Sequence, residues 1–253
     1  MNINDLPGYD AAAPLLAVDN LCVTFESFEG EVAAVDGVSF TVNPGETLCI
    51  VGESGSGKSA SQMAIMGLLS TPPALISGSV RFCGIELVHA PQSTLFTVRG
   101  SGVSMIFQDA ITSLNPALKI GFQIAEVFCA RTGSDSASGR KYAIELMERV
   151  AIPGASQRVD DYPFQFSGGM CQRIMIAMAL ALKPKILIAD EPTTALDVTV
   201  QRQVMELLKS LSREADLALV LITHDLGVAA EQADKVMVMY AGRTVETGLT
   251  DEV

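Results

Sequence analysis

The sequence has no long hydrophobic run and comparatively few basic residues. Its longest apolar stretches, Ile174–Leu182 and Leu217–Ile222, fall well short of the ~18 residues that cross a bilayer. Lys and Arg number 17 against 29 Asp and Glu, which gives a net charge of −12. Sequence-independent nucleic-acid binding needs a basic surface that releases counterions. The composition therefore disfavours both a membrane-spanning protein and a general nucleic-acid binder.

Paired cysteines are also missing. The five cysteines are widely scattered, and no CxxC occurs: Cys22, Cys49, Cys83, Cys129 and Cys171. The odd count and the spacing disfavour both a disulfide framework and a zinc site. We expect reduced thiols, several of them packed as small apolar residues. The N-terminal sequence MNINDLPGYD is acidic and polar, which predicts no signal peptide and favours the cytosol.

What the chain does have is alternating strand and helix patterns over 253 residues, of which 49% are hydrophobic. This length suits one large α/β domain, or a core with one small subdomain. A strand is predicted at Ser79–Leu87, a helix from the glycine loop to about Leu69, and a flexible loop at RTGSDSASG. Further strands are predicted at Leu15–Phe25, Val32–Val42, Thr47–Val51, Val103–Phe107, Ile186–Ala189, Ala218–Thr223 and Val236–Tyr240, and helices at Ile120–Ala130 and Lys141–Val150. Together they predict a doubly wound, mainly parallel sheet.

The motif GESGSGKS follows the wholly apolar strand Thr47–Val51 and precedes a predicted helix. Such a loop closes backbone N–H groups around a β-phosphate, while its lysine reaches the β/γ oxygens and its serine binds Mg²⁺. A glycine-rich turn with a nearby lysine is the alternative, which the strand and helix context disfavours. The predicted nucleotide-binding residues are Gly52, Glu53, Ser54, Gly55, Ser56, Gly57, Lys58 and Ser59. The loop alone does not separate kinases, GTPases, helicases and transport ATPases.

The segment KILIADE is an apolar strand that ends with two acidic residues. Asp190 is predicted to hold Mg²⁺ through water, and Glu191 to act on the attacking water as a general base. The alternative is an exposed acidic turn after a core strand, which the phosphate loop earlier in the chain disfavours. No NKxD motif occurs, so a GTPase is disfavoured.

The segment FSGGMCQR precedes an apolar helix. Ser167 is a good N-cap, and Gly168 and Gly169 leave the backbone amides bare. A helix start of this kind binds anions, although a routine capped helix has the same pattern. Two γ-phosphate binders are redundant in a monomer, so this second site favours a head-to-tail dimer in which each subunit closes the other's pocket.

With these motifs the chain resembles the ATP-binding-cassette (ABC) family. GESGSGKS is similar to its Walker A loop, FSGGMCQR to its signature, ILIADE to Walker B with the catalytic glutamate, FQD to its Q-loop, TALD to its D-loop and THD to its switch histidine. The resemblance implies an α/β P-loop NTPase (RecA-like) core with a mainly parallel sheet, an N-terminal antiparallel β subdomain and an inserted helical subdomain. Residues 1–14, with two Pro and one Gly among small residues, predict a loose leader. The resemblance divides the rest into the ATP-binding core with the β subdomain at 15–108 and 172–253, and the helical subdomain at 109–171.

The family resemblance also implies the cofactors ATP and Mg²⁺ and further roles. Gln108 would sense Mg²⁺ and the attacking water and link them to the helical subdomain, so that Ser59, Gln108 and Asp190 form the metal set. Catalysis would rest on Glu191, Gln108 and His224. Asp197 would lie at the dimer seam. An aromatic residue stacks on adenine, and Phe25 and Phe28 fit that position equally.

Longer strings, such as FQDAITSLNP and IADEPTTALDVTVQ, resemble the ATPases of oligopeptide, dipeptide and nickel importers. This branch implies a peripheral protein at the cytoplasmic face of a bacterial inner membrane. Its partners would be a second ATPase subunit or cassette, permease subunits that dock around Thr112–Glu126, and, indirectly, an extracytoplasmic solute-binding protein. The solute stays open, with peptides favoured. The alternative, a soluble ABC-type ATPase acting on nucleic acid or ribosomes, is disfavoured because zinc insertions, coiled coils and basic linkers are missing.

Two residues depart from the family pattern. Cys171 stands where a basic or polar residue is usual in the signature, and Ala110 stands where proline is common. Neither change removes a phosphate contact, but Cys171 is predicted to affect turnover or dimer closure. The sequence ends at DEV, where members of this branch usually continue, which predicts either a shortened chain or the first half of a tandem ATPase.

Overall fold

The computed structural model describes residues 3–27, 30–194 and 196–253. The described strands form two sheets. They are β1 Leu16–Ser27, β2 Gly30–Val42, β3 Thr47–Val51, β4 Ala74–Phe82, β5 Ile85–Glu86, β6 Val103–Ile106, β7 Ile186–Asp190, β8 Ala218–Thr223, β9 Lys235–Tyr240 and β10 Arg243–Leu249. The α-helices are α1 Lys58–Ile65, α2 Gln92–Val98, α3 Ala110–Ser113, α4 Ile120–Thr132, α5 Ser136–Arg149, α6 Ala155–Arg158, α7 Gly168–Leu180, α8 Val198–Ala215 and α9 Leu226–Gln232. Single 3₁₀ turns lie at Ile3–Asp5 and Pro163–Gln165.

The larger sheet has the strand order β10-β9-β3-β8-β7-β6 and is parallel except for β10. Every residue of β3, β7 and β8 is buried, as apolar strands covered on both faces should be. The register pairs Val51 with Thr223 and Asp190 with Ile222. The carboxyl ends of these three strands therefore meet at one edge, where open parallel sheets place their ligands. The predicted mixed α/β class is confirmed.

The smaller sheet is antiparallel, with the order β2-β1-β4-β5. The predicted single strand Ser79–Leu87 is wrong, because Cys83 and Gly84 adopt φ values of 45° and 80° and turn the chain back. Strand β4 instead begins at Ala74, directly after two prolines. The sequence reading also missed β10, whose alternation is mostly polar and which pairs along the edge with β9.

Helices α3 to α6 fall within the interval 109–171 that was predicted as a helical subdomain, and the division itself stays a prediction. The flexible loop predicted at RTGSDSASG is wrong in its second half. Asp135 accepts a 2.7 Å hydrogen bond from the backbone N–H of Ser138 and so caps α5, which begins at Ser136.

The P-loop helix is also shorter than predicted, since α1 ends at Ile65 and Gly67 has a φ of 61°.

Residues 1–14 were predicted as a loose leader, and the structure shows that parts of 3–14 are anchored, while the leader as a separate unit stays a prediction. Ile3 and Leu6 are buried and pack into the core between the two sheets. The backbone N–H of Asp10 donates to the carbonyl of Cys83 at 2.8 Å. This segment therefore contributes apolar burial to the fold. Among the described residues, no helix combines the length and apolarity that crossing a bilayer requires.

Candidate nucleotide site

The loop between β3 and α1 has the tight backbone that a phosphate cradle needs. Gly57 has a φ of 95°, and a Cβ at this position would collide with the carbonyl oxygen of Ala34. A Cβ on Gly52 would strike the carbonyl oxygen of Met239. These two positions accept only glycine, because the loop lies directly against neighbouring backbone. The close approach brings the amides of the loop to the start of α1, which is the positive end of the helix.

Lys58 is the first residue of α1, and only 5% of it is exposed. Its Nζ donates to the carbonyl oxygens of Gly52 at 2.7 Å and Glu53 at 2.8 Å. The ammonium is thereby held at the mouth of its own loop. A cavity of about 270 Å³ opens there, lined by Ala34, Ser54, Gly55, Gly57, Lys58, Ser59, Ala60, Gln108 and Glu191. The structure thus brings the phosphate loop together with two residues predicted from distant parts of the sequence.

Asp190 ends β7 beside the loop and is 6% exposed. Burial raises the pKa of its carboxyl, and the neighbouring Glu191 raises it further, while a hydrogen bond from Ser59 and the charge of Lys58 lower it. The net pKa shift is upward. The Oδ1 atom is buried without a hydrogen-bond partner. A buried carboxylate oxygen beside a serine hydroxyl is a donor set that suits Mg²⁺, which prefers oxygen ligands and keeps several waters.

Glu191 follows Asp190 with a φ of 44°, and its side chain is 17% exposed. Its Oε2 accepts hydrogen bonds from Gln108 Nε2 and from Thr194 Oγ1, both at 2.9 Å. Nδ1 of His224 lies 3.3 Å from its Oε1, which is a hydrogen bond when Nδ1 carries the proton. Two of the predicted catalytic residues, Gln108 and His224, therefore contact the carboxylate of the third, Glu191.

The pKa of Glu191 is lowered from its ordinary value. Burial opposes this shift, but hydrogen bonds from Thr194 and His224, together with the charge of Lys58, outweigh it. At neutral pH the carboxylate is therefore ionised and able to accept a proton. Thr194 had been assigned only to the D-loop in sequence. Its role at Glu191 depends on the turn that brings residue i+3 back to residue i, where the backbone N–H of Thr194 donates to the Glu191 carbonyl at 3.1 Å.

The second predicted anion site is the start of α7. Ser167 is exposed, and its Oγ accepts the backbone N–H of Met170 at 3.4 Å, as an N-cap does. Gly169 packs so closely on Val200 of α8 that a Cβ would overlap the valine side chain. Asp197 caps α8 by accepting the N–H of Val200 at 3.0 Å. The signature turn and the D-loop are thus braced against each other.

A cavity of about 510 Å³ separates the signature turn from the Q-loop. It is lined by Gln108, Asp109, Ala110, Gly168, Gln172, Thr194 and Leu196. Gln108 contacts Glu191 on one side of this space, and Gly168 borders it on the other. Residues from three separated motifs therefore share one cleft at the carboxyl edge of the sheet.

Comparison with known proteins identifies the family. A family model described as "ABC transporter" matches residues 35–194. The chain belongs to the ABC transporter family. It is 52% identical over 240 residues to the oligopeptide transport ATP-binding protein OppD of Bacillus subtilis, covering 94% of this chain and 67% of the relative. It is 51% identical to the dipeptide transport ATP-binding protein DppD of Escherichia coli, covering 92% and 72%.

Solved structures with the same fold are ABC cassettes as well. The dimeric cassette MJ0796 in a post-hydrolysis state with ADP and Pi superposes with a TM-score of 0.81 at 28% identity, covering 93% of this chain and 98% of that one. CbiO1 from Clostridium perfringens gives a TM-score of 0.77 at 26% identity, covering 94% and 90%. This ABC protein is therefore an ATPase with the cassette fold.

The two departures from the ABC pattern lie in the interior. Cys171 is 3% exposed, its Sγ lies 3.6 Å from the carbonyl oxygen of Pro163, and burial raises the pKa of the thiol. Ala110 is buried at the start of α3. The Cys171 side chain faces Pro163 in the interior, whereas Ala110 also lines the cavity between the Q-loop and the signature turn. The five cysteines of this ABC protein are free thiols.

The two candidate adenine-stacking residues fare differently. Phe25 pairs with Val32 and Ala74 in the antiparallel sheet and packs partly against the core. Phe28 lies outside the described residues. The choice between them stays open in this ABC protein.

Proposed function

We propose that this chain is the ATP-hydrolysing subunit of a bacterial peptide importer. The observation that carries the proposal is the convergence of Gln108, Thr194 and His224 on the Glu191 carboxylate at the edge of the phosphate-loop cavity. The printed names of the relatives, which describe oligopeptide and dipeptide transport, support peptides as the solute. They do not favour the alternative ATPase acting on nucleic acid or ribosomes.

Each residue then has a defined task in hydrolysis. Lys58 exchanges its two loop carbonyls for β/γ-phosphate oxygens, and the loop amides hold the β-phosphate. Ser59 and Asp190 would hold Mg²⁺, directly or through water, and the ion would neutralise developing phosphate charge. Glu191, ionised at neutral pH, accepts the proton of the attacking water. Gln108 and His224 fix the carboxylate and the water beside it.

A second cassette completes the site. The signature turn of Ser167, Gly168 and Gly169 is an exposed or half-exposed helix start with free amides, which suits a γ-phosphate. We propose that two cassettes, two copies in the simplest case, close head to tail over two ATP molecules. ATP favours closure because it binds the closed state better, and hydrolysis reverses that preference.

The permease would dock on an apolar groove next to the Q-loop. This groove of about 530 Å³ is lined by Ser104, Met105, Phe107, Ser113, Leu114, Val127, Met175, Met178 and Ala179. Phe107 at its edge is 43% exposed, and Phe122, within the predicted docking segment Thr112–Glu126, is 53% exposed. An amphipathic permease helix fits such a groove. Docking would hold this chain at the cytoplasmic face of the membrane, with the solute-binding protein acting from the other side.

The test is reconstitution with the cognate permease and binding protein in vesicles. Peptides of two to five residues, a nickel chelate and buffer alone are offered, and ATP turnover is measured. We expect stimulation by peptide and none by the nickel chelate. Stimulation by nickel alone would assign a different solute. ATP turnover that responds to RNA or ribosomes and not to permease vesicles would overturn the importer assignment.

A further inference from the structure

Two arginines outside the nucleotide site hold the C-terminal ends of consecutive helices. Arg99 lies directly after α2, and it reaches back to the end of α1. Its Nε donates to the carbonyl of Met66 at 2.8 Å and its Nη2 to the carbonyl of Gly67 at 2.6 Å. The last carbonyls of a helix lack intrahelical partners and carry partial negative charge. Arg99 therefore caps the helix that begins with Lys58.

Arg131 makes similar contacts at the end of the next helix, α2. It lies in the last turn of α4. Its Nη2 donates to the carbonyls of Phe96 at 2.5 Å, Thr97 at 3.2 Å and Arg99 at 2.7 Å. Its guanidinium also lies 4.5 Å from the centre of the Phe96 ring. Arg131 thus caps α2 and contacts the backbone of the other arginine.

The two arginines use their guanidinium groups differently: Arg99 donates from two nitrogens, Nε and Nη2, whereas Arg131 donates from Nη2 alone. Among the described residues, neither Arg99 nor Arg131 forms a salt bridge, and both donate their hydrogen bonds to backbone carbonyls. The planar fork of Arg99 serves two acceptors, which a lysine ammonium does with less preorganisation. At the receiving end, a Cβ on Gly67 would lie only 2.9 Å from Arg99 Nη2. The absence of a side chain at Gly67 lets the guanidinium approach.

The two arginines connect α4 to α2 and α2 to α1, an arrangement we name the arginine relay. Helix α4 packs against α7, whose first residues form the signature turn. We infer that Arg131 is a positioning residue for ATP hydrolysis, which sets the orientation of the signature turn relative to the P-loop helix through the relay. The inference rests on the proposed role of Ser167 in completing a second cassette's site.

The decisive variant is Arg131→Met, which keeps the aliphatic stem and removes the fork. Arg140→Met is the matched control, because Arg140 lies on the neighbouring helix α5 and forms an exposed pair with Asp160 at 2.8 Å, its one ion pair among the described residues. We expect kcat of Arg131→Met to fall about tenfold, the effect of one hydrogen bond to a charged group. The Kd for ATP should stay within about twofold, since the P-loop contacts remain. Arg131→Lys should recover part of kcat, and Arg140→Met should match the wild type.

Three results would overturn the inference. One is an Arg131→Met kcat within about twofold of the Arg140→Met value. Another is an ATP affinity that falls in parallel with the melting temperature, which would make the residue merely stabilising. The third is full additivity of Arg131→Met and Arg99→Lys in kcat, since two links in series are coupled. Failure of the two-cassette proposal would be recognised separately, as full wild-type turnover in Ser167→Arg.

Discussion

The chain has two helix starts that we propose bind phosphate, and they differ in how many hydrogen bonds their side chains make. At the start of α1, Lys58 is buried and bonded to two carbonyls, and Glu191 beside it receives three side chains. At the start of α7, the exposed Ser167 makes a 3.4 Å cap bond. The P-loop half of the site is therefore preorganised within the chain. The signature turn is instead exposed or half-exposed at the surface. This difference is what a pocket shared between two cassettes requires.

The P-loop half of the site also contains a buried carboxylate, Asp190, whose charge is costly to bury. Asp190 keeps an oxygen without a hydrogen-bond partner, and its raised pKa records the cost of placing a charge there. The signature turn has no comparable buried charge in its own segment Ser167–Gly169. The comparison therefore predicts that a substitution at Asp190 changes chemistry and stability together, whereas one at the buried Cys171 behind the signature turn changes stability alone.

The largest effect is expected for Glu191→Gln. The amide keeps the shape of the side chain but accepts no proton, so kcat should fall by about 10²-fold or more. ATP binding should persist, because Lys58 and the loop are intact. Single-turnover hydrolysis and nucleotide affinity measured side by side check both statements. Normal turnover in this variant would show that the base lies elsewhere.

Lys58→Met comes next and removes the charged donor of the loop. Affinity for ATP should fall by about 10- to 100-fold, the range of a hydrogen bond to a charged group. Equilibrium binding of a fluorescent ATP analogue provides the measurement. Lys183→Met, on the exposed turn after α7, is the charge-matched control and should bind normally. Equal affinity for the ATP analogue in both variants would show that Lys58 does not contact the phosphates.

Asp190→Asn should stabilise the nucleotide-free protein by about 1–2 kcal/mol, because it removes an incompletely satisfied buried charge. The folded pKa of Asp190 is raised above its unfolded value, so the charge penalty is present above that pKa and disappears as pH falls through it. The stability gain of the variant should shrink in the same direction. Urea unfolding at several pH values measures it. A variant less stable than the wild type at neutral pH would contradict the penalty.

The smallest effect is expected for Cys171→Ala, behind the signature turn. Losing a buried sulfur leaves a small cavity and should cost about 1 kcal/mol of unfolding free energy. Because the side chain faces Pro163 and the interior, kcat per folded molecule should not change. Thermal unfolding and steady-state ATPase assays separate the two quantities. A large loss of kcat at unchanged stability would place Cys171 in dimer closure, as its position in the motif first suggested.

Sequence reasoning predicted the parts of the site that short motifs encode. Lys58, Asp190, Glu191 and Ser167 stand in fixed patterns next to apolar strands or helices, so their local geometry follows from a few residues. Thr194 at the Glu191 carboxylate depends on a turn whose closure the motif does not show.

Two features set by distant contacts, and one set by a local cap, were not predicted. Arg131 lies 32 residues from Arg99, and the hydrogen bond that joins them leaves no local pattern. Strand β10 is polar and follows only from pairing with β9. The serines and glycine at the start of α5 had predicted a flexible loop. The N-cap at Asp135 instead stabilises a helix there.

The most direct test of the shared pocket is the mass of the Glu191→Gln protein in solution with ATP and Mg²⁺, measured by analytical ultracentrifugation. We predict a shift from 26.7 kDa to twice that mass. The double variant that also carries Ser167→Arg should remain a monomer while still binding ATP. A monomer in both cases, together with full wild-type ATP turnover that does not depend on Ser167, would contradict the account.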